Sequence, residues 1–222
     1  MQKWIKGWLS CWLYVIVLIA GIVLGLLAAN WFIWDWGTRL FALATALLPL
    51  HVLEEWHFPG GFHTMYNLMQ GSEKVDRYPM NQLSDMWTNF IGVIFGCIVL
   101  AGGANPAFLI MQLFLCCAEV YGHLSGGFFA YKRFKEHGKR TIYNPGLLTT
   151  LFGYIPIAIG IILALFTTYQ PKPWQIPVAL FSSMLLGGFS LKGVERICQN
   201  ENSPYAYTWG NGYFAKFMDG HA

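Results

Sequence analysis

Apolar residues along this chain come in blocks, with short polar stretches between them. The blocks are Trp8 to Phe32, Arg39 to Trp56, Met86 to Gly102, Ala107 to Tyr131, a run opened by Asn144-Pro145-Gly146 and continuing through Phe166, and Pro177 to Ile197. Roughly 20 apolar residues in a helix cross the ~30 Å hydrocarbon core of a bilayer. The pattern therefore predicts an all-α fold, a polytopic transmembrane bundle of six spans. Gly60 to Tyr78 reads as a polar connector lying in the membrane interface. Gly102 to Pro106 is a tight uncharged turn, and Pro171 and Pro173 bracket another. The chain is expected to form one membrane domain over 1–222. Within it, 1–34 is an added first helix, 36–197 the bundle, and 198–222 a polar, aromatic interfacial cap. The first block follows Lys3 and Lys6 but is longer than a signal-peptide core and has no clear cleavage site, so it is predicted to be retained.

Composition sharpens this class. Of 222 residues, 55% are hydrophobic and 11% charged, against roughly 25% charged in soluble domains. Ten Trp, eleven Tyr and seventeen Phe suit aromatic belts at two interfaces. The net charge of +3 resides in short clusters that speak to topology and not to nucleic acid. Lys3 and Lys6, Lys74 and Arg77, the run Lys132, Arg133, Lys135, Lys139 and Arg140, and Arg196 and Lys216 fall on alternate connections. The positive-inside rule then places both termini in the cytoplasm, with the plasma membrane as the expected location. Cys11, Cys97, Cys116, Cys117 and Cys198 form no Cys-x-x-Cys pair and lie mostly in apolar runs, where Cys acts as a small hydrophobe. That argues against a disulfide framework and a zinc knuckle. Cys116 and Cys117 lie close to Glu119 of the fourth block.

Charge inside apolar blocks is costly and marks function. The second block ends in Leu50 to Phe62, LHVLEEWHFPGGF. His51, Glu54 and Glu55 stand at i, i+3 and i+4, on one helical face. His57 comes two residues later, just before the stop Pro59-Gly60-Gly61, and Pro49, two residues before His51, removes a backbone hydrogen bond. The fourth block holds Glu119 and His123, again at i and i+4. Alternating topology brings both sets to the cytoplasmic halves of their spans, along with Asp85 and Asn89 at the start of the third and Glu195 at the end of the sixth. Helix bundles build metal sites from such His and carboxylate pairs. The expected ligands are His51, Glu54, Glu55, Glu119 and His123, with Glu55 and His57 as catalytic groups. Imidazole with carboxylate suits Zn, Fe or Mn and argues against a thiolate site. The ordinary alternatives are headgroup-level charges closing a helix, and an interhelical hydrogen-bonded pair at Glu119 and His123.

His51, Glu54 and Glu55 also spell the signature of the HXXEE-domain proteins, integral membrane proteins of uncharacterised function, and the chain resembles that family over roughly the second to sixth spans. Glu119 and His123 are similar to the family's further Glu and His, and Tyr143-Asn144-Pro145-Gly146 resembles a recurrent segment. The resemblance implies an enzyme site and names no reaction. His51 and Glu55 also give a looser likeness to sterol isomerases of the emopamil-binding type, which move a double bond by proton transfer without metal. The leading expectation is a metal-dependent membrane enzyme acting on a lipid or other apolar substrate from the cytoplasmic leaflet. The alternatives are a metal-free isomerase using a His/Glu acid–base pair, and a cation or proton carrier. Against a carrier, the chain has no internal repeat and no matching pair of broken spans.

Overall fold

All six apolar blocks fold as helices in the computed structural model, which describes residues 2–218; Met1 and the last four residues of the predicted cap lie outside it. The first block is divided. A short helix, α1 (Gln2–Leu9), carries Lys3 and Lys6, and the chain breaks at Ser10 and Cys11 before α2 (Trp12–Ala29). The predicted single first helix is thus a short helix followed by a longer one. Asp35 then caps α3 (Trp36–Trp56) by accepting from the Thr38 N–H at 2.8 Å. The predicted connector contains α4 (Phe62–Met69). Asn81 and Ser84 form a reciprocal capping box at the start of α5 (Gln82–Gly102), which satisfies two orphan N–H groups. Asn105 caps α6 (Pro106–Phe134). The last two spans are α7 (Leu147–Tyr169) and α8 (Gln175–Cys198), and a short α9 (Ala215–Met218) lies in the cap.

Six of these helices are long and apolar enough to cross a membrane, so the protein is a multi-pass membrane protein by length and composition. Their burial differs. In α3, 61% of the apolar window is buried, and in α8 only 11%. Alanines make α3 the central helix: Ala42 and Ala46 let it approach Ala20, Val23 and Leu27 of α2, while Ala44 packs with Leu109, Ile157 and Ile161. Small residues allow close backbone approach where no hydrophobic effect drives helices together. α8 lies mostly outward and forms one wall of the bundle.

The C-terminal segment folds back over the ends of α3 and α4. Tyr213 N–H donates to the Gly60 carbonyl at 2.9 Å, and Tyr207 N–H to the Asp76 carbonyl at 2.8 Å. Lys139 is the fastener. Its side chain is buried, with Nζ donating to the Tyr143 carbonyl at 2.6 Å and the Tyr213 hydroxyl at 3.2 Å. It also lies over the rings of Tyr213, Phe214 and Phe217. Burial, with Lys216 adding to it, pushes the Lys139 pKa down from 10.5 to about 8. The unfolded chain therefore binds more protons between about 8 and 10.5, and stability rises with pH across that window. We expect the cap to resist proteolysis better at the alkaline end of this window than at neutral pH. Lys139→Met should flatten that dependence; an unchanged pH response in the variant would reject the assignment.

Candidate metal centre

Three helices bring the site together. His51 and Glu55 come from α3 and His123 from α6, all buried, and the start of α7 with the turn before it supplies the groups that hold them. His51 Nε2 lies 3.1 Å from His123 Nε2. Glu55 Oε1 is 3.5 Å from the former and 3.4 Å from the latter. Glu119 Oε2 is 3.4 Å from His51 Nε2 and 3.7 Å from His123 Nε2. Its side chain is 39% exposed and lines a cavity of about 260 Å³ together with the other three.

Hydrogen bonds behind the rings fix which nitrogen faces the site. Asn144 Nδ2 donates to the carbonyls of His123 and Ile142 at 2.9 and 3.2 Å. Its Oδ1 is thereby the acceptor, 2.8 Å from His123 Nδ1, so that nitrogen carries a proton. Thr149 Oγ1 sits 2.7 Å from Glu54 Oε2 and 3.1 Å from the Gly146 carbonyl. Neither of those can donate, so the hydroxyl gives its proton to one of them and accepts from His51 Nδ1 at 2.8 Å. With both Nδ1 atoms protonated, the neutral rings aim two Nε2 lone pairs at each other. Such a pair repels unless a cation or a proton sits between them. Tetrahedral zinc, with bonds of about 2.0–2.2 Å, sets its donor atoms about 3.3–3.6 Å apart. The edges of 3.1, 3.5 and 3.4 Å come close to that spacing. The donor set of two imidazoles and a carboxylate fits zinc or another borderline divalent ion, and Nδ1–H bonds to fixed acceptors are how proteins orient metal-ligating His.

Two of the residues predicted to take part stand elsewhere. Glu54 was expected among the ligands, but its carboxylate turns to the start of α7. It accepts from Leu148 N–H at 3.1 Å, from Thr149 N–H at 2.8 Å, from the Thr149 hydroxyl and from the Tyr143 hydroxyl at 3.3 Å. A carboxylate there satisfies orphan N–H groups and complements the positive end of the helix dipole. Burial and the Glu54 charge push the Tyr143 phenol up, which keeps it the donor. His57, expected as a catalytic group, closes α3 and packs against Tyr14 and Trp209, away from the cluster. Cys116 is buried beside Gln112, and Cys117 is exposed.

Asp85 also lines the cavity. Its Oδ2 accepts from Trp56 Nε1 at 2.5 Å and from the Tyr207 hydroxyl at 3.0 Å, and its Oδ1 from Asn89 at 2.9 Å. Tyr207 stacks on His63 with ring centroids 3.9 Å apart, and burial drives the His63 pKa down to about 3. At the cavity rim the Tyr66 hydroxyl donates to Glu195 at 2.6 Å and accepts from Lys192 at 2.5 Å. Burial and Glu195 push the Tyr66 pKa up.

Sequence reasoning did not reach the roles of Asn144, Thr149 and Tyr207. The Asn-Pro-Gly turn before an apolar run was the available signal for the first two. Gly146 explains the turn's form: it has φ +94°, and a Cβ there would sit 2.7 Å from His123 Nε2 and 2.9 Å from His51 Cε1.

A family model described as a protein of unknown function with HXXEE motif matches residues 42–161. The matched stretch holds His51, Glu54, Glu55, Glu119, His123, Asn144 and Thr149, and it ends within α7. No curated protein and no solved structure matches the chain.

Proposed function

The chain belongs to the family of proteins with an HXXEE motif, and from that premise and the geometry of its site we propose that it is a metal-dependent membrane enzyme. Its substrate is a lipid or other apolar molecule reached from the cytoplasmic side, and both termini lie in the cytoplasm of a cell whose plasma membrane it occupies. The observation that carries the reading is the pair of Nε2 atoms 3.1 Å apart, each with its Nδ1 committed, beside Glu55.

In this reading His51, His123 and Glu55 hold a divalent ion, zinc or iron or manganese. Such an ion would supply Lewis acidity there. Thr149 and Asn144 keep the two imidazoles in one tautomer. Glu119, half-exposed to the cavity, is placed to take a proton from a substrate or return one. Asp85 presents a carboxylate from the facing wall, held by three donors. Leu48, Phe62, Met65 and Leu191 supply apolar walls to the cavity, which strengthens every charge interaction inside it.

The same 3.1 Å separation also fits a proton shared between the rings, and a metal-free isomerase would use His51 with Glu55, 3.5 Å away, as its acid–base pair. Elemental analysis of the purified protein separates the two. We expect close to one equivalent of a transition metal, and loss of turnover on chelation with recovery on reloading. Full activity in metal-free protein would overturn the metal reading and favour the isomerase. For the orientation, cysteines placed between Lys132 and Arg140 should label only from the cytoplasmic side; labelling from outside would reverse the topology.

A further inference from the structure

The cavity at the His/Glu cluster does not end there. A second chamber of about 140 Å³ adjoins it, and Leu48, Thr88, Asn89 and Glu119 line both. An apolar groove comes next, sharing Phe95 and Leu186 with the second chamber and walled further by Phe108, Met111 and Leu185. The order of lining residues gives the direction. On α5 they advance from Asp85 through Gly92 to Phe95. On α6 they recede from Glu119 through Leu115 to Phe108, and on α8 from Leu191 through Gly187 to Ser182. Neighbouring spans run antiparallel, so all three series move the same way, from the site toward the middle of the bilayer. The stretch of α5 from Asp85 to Phe95 rises about 15 Å, half of the ~30 Å hydrocarbon core.

The walls are built for this. Gly92 and Gly96 line the second chamber from one face of α5, and their missing side chains admit Leu48 and Thr45 of α3, which line it too. In α8 the turns widen over Gly188–Gly193, and the Ser190 carbonyl accepts from the Thr88 hydroxyl at 2.6 Å. That bond ties the otherwise loosely packed wall to α5 where the chambers meet.

We propose that the substrate is a long-chain acyl compound, a fatty acid or its ester. Its oxygen-bearing head lies at the His/Glu cluster and its chain runs through the second chamber toward the bilayer centre. The inference rests on the cluster being the reactive site. Volume selects the class. The second chamber alone falls below the roughly 300 Å³ at which pockets for drug-sized molecules begin. It takes a flexible chain and not a rigid fused-ring skeleton. Asp85 faces the first chamber, Asn89 and Glu119 face both, and Thr45, Gln112 and Ser190 add polar groups to the second, while the groove beyond is apolar, so the apolar end of an amphiphile points to the groove. The open groove lets the chain enter sideways from the membrane.

The probe for the test is palmitic acid carrying a diazirine near its chain end and a terminal alkyne, cross-linked to the full-length protein in detergent. Adducts mapped by mass spectrometry should fall on Phe95, Leu115 or Leu186, and unlabelled palmitic acid should compete where octanoic acid does not. Gly187 lines the second chamber and an added Cβ there meets nothing within 4 Å. Gly187→Phe should therefore fill the chamber without disturbing the fold and lower these adducts at least fivefold. Leu115→Trp should do the same from the opposite wall. Metal content must stay at the wild-type value in both variants. Adducts confined to outward-facing residues such as Phe152 and Phe181, or labelling indifferent to both substitutions, would overturn the proposal. Because the labelling is read without turnover, it fails or succeeds separately from the metal measurement.

Discussion

Alanine in place of His123 will leave the purified protein with less than a tenth of the divalent metal that the wild type carries. His123 is buried and offers Nε2 to the cluster, 3.4 Å from Glu55 and 3.1 Å from His51. Removing one of three protein donors leaves two, too few for a stable transition-metal site. Asn144→Ala should give a milder result from a distance. It deletes the acceptor that holds His123 Nδ1–H at 2.8 Å, and groups of this kind are worth about 10–100-fold in metal affinity. The graded pair is the informative measurement. Metal titration of both variants, beside a melting curve to confirm folding, should rank wild type above Asn144→Ala above His123→Ala. Equal metal in all three would remove His123 from the site.

The second large effect falls on stability and comes from the residue next to the site. Glu54→Ala takes away the carboxylate that accepts from Leu148 N–H, Thr149 N–H, the Thr149 hydroxyl and Tyr143. Charge-assisted hydrogen bonds contribute about 1.5–3 kcal/mol each, and buried donors left without partners cost further. A loss of about 3–5 kcal/mol is expected, which a marginal membrane fold shows as a large fall in melting temperature. Glu54→Gln keeps one acceptor oxygen and should lose about half as much. Glu55→Gln should reverse the pattern: it lowers metal content while melting close to wild type in the absence of metal. If Glu54→Gln empties the site and Glu55→Gln does not, the roles of the two glutamates are exchanged.

These two glutamates show where sequence reasoning stops. Periodicity places Glu54 and Glu55 about 100° apart on a helix, so a division of roles is legible. Which one turns inward depends on where α7 begins, and that is fixed by the turn Tyr143 to Gly146, far away in the chain. The spans themselves were readable because hydrocarbon thickness sets their length. The predicted starts of α3, α5 and α8 fall short by two to four residues, since Asp35 and Asn81 begin the first two as caps and Gln175 opens the third shortly before its first apolar run. The break between α1 and α2 escaped the pattern: Trp8 and Leu9 are as apolar as Trp12 and Leu13, and the division lies in Ser10 binding back to the Gly7 carbonyl. His51, Glu55, Glu119 and His123, singled out from their spacing, do stand together. His57 satisfied spacing alone, and it packs between Tyr14 and Trp209 instead.

The uneven burial of the spans has a meaning for how such a protein can change. Every proposed metal donor stands on α3 or α6, inside the stretch that matches the family. One wall of the second chamber and of the groove is α8, which lies outside that stretch and buries little of itself. Mutations in α8 disturb few core contacts, so this helix can vary in sequence at small cost to folding while the reactive cluster stays fixed. Under the proposed function, part of the substrate-facing surface can then vary independently of the cluster. A hybrid that carries the α8 of another family member should keep its metal and exchange its preferred chain length.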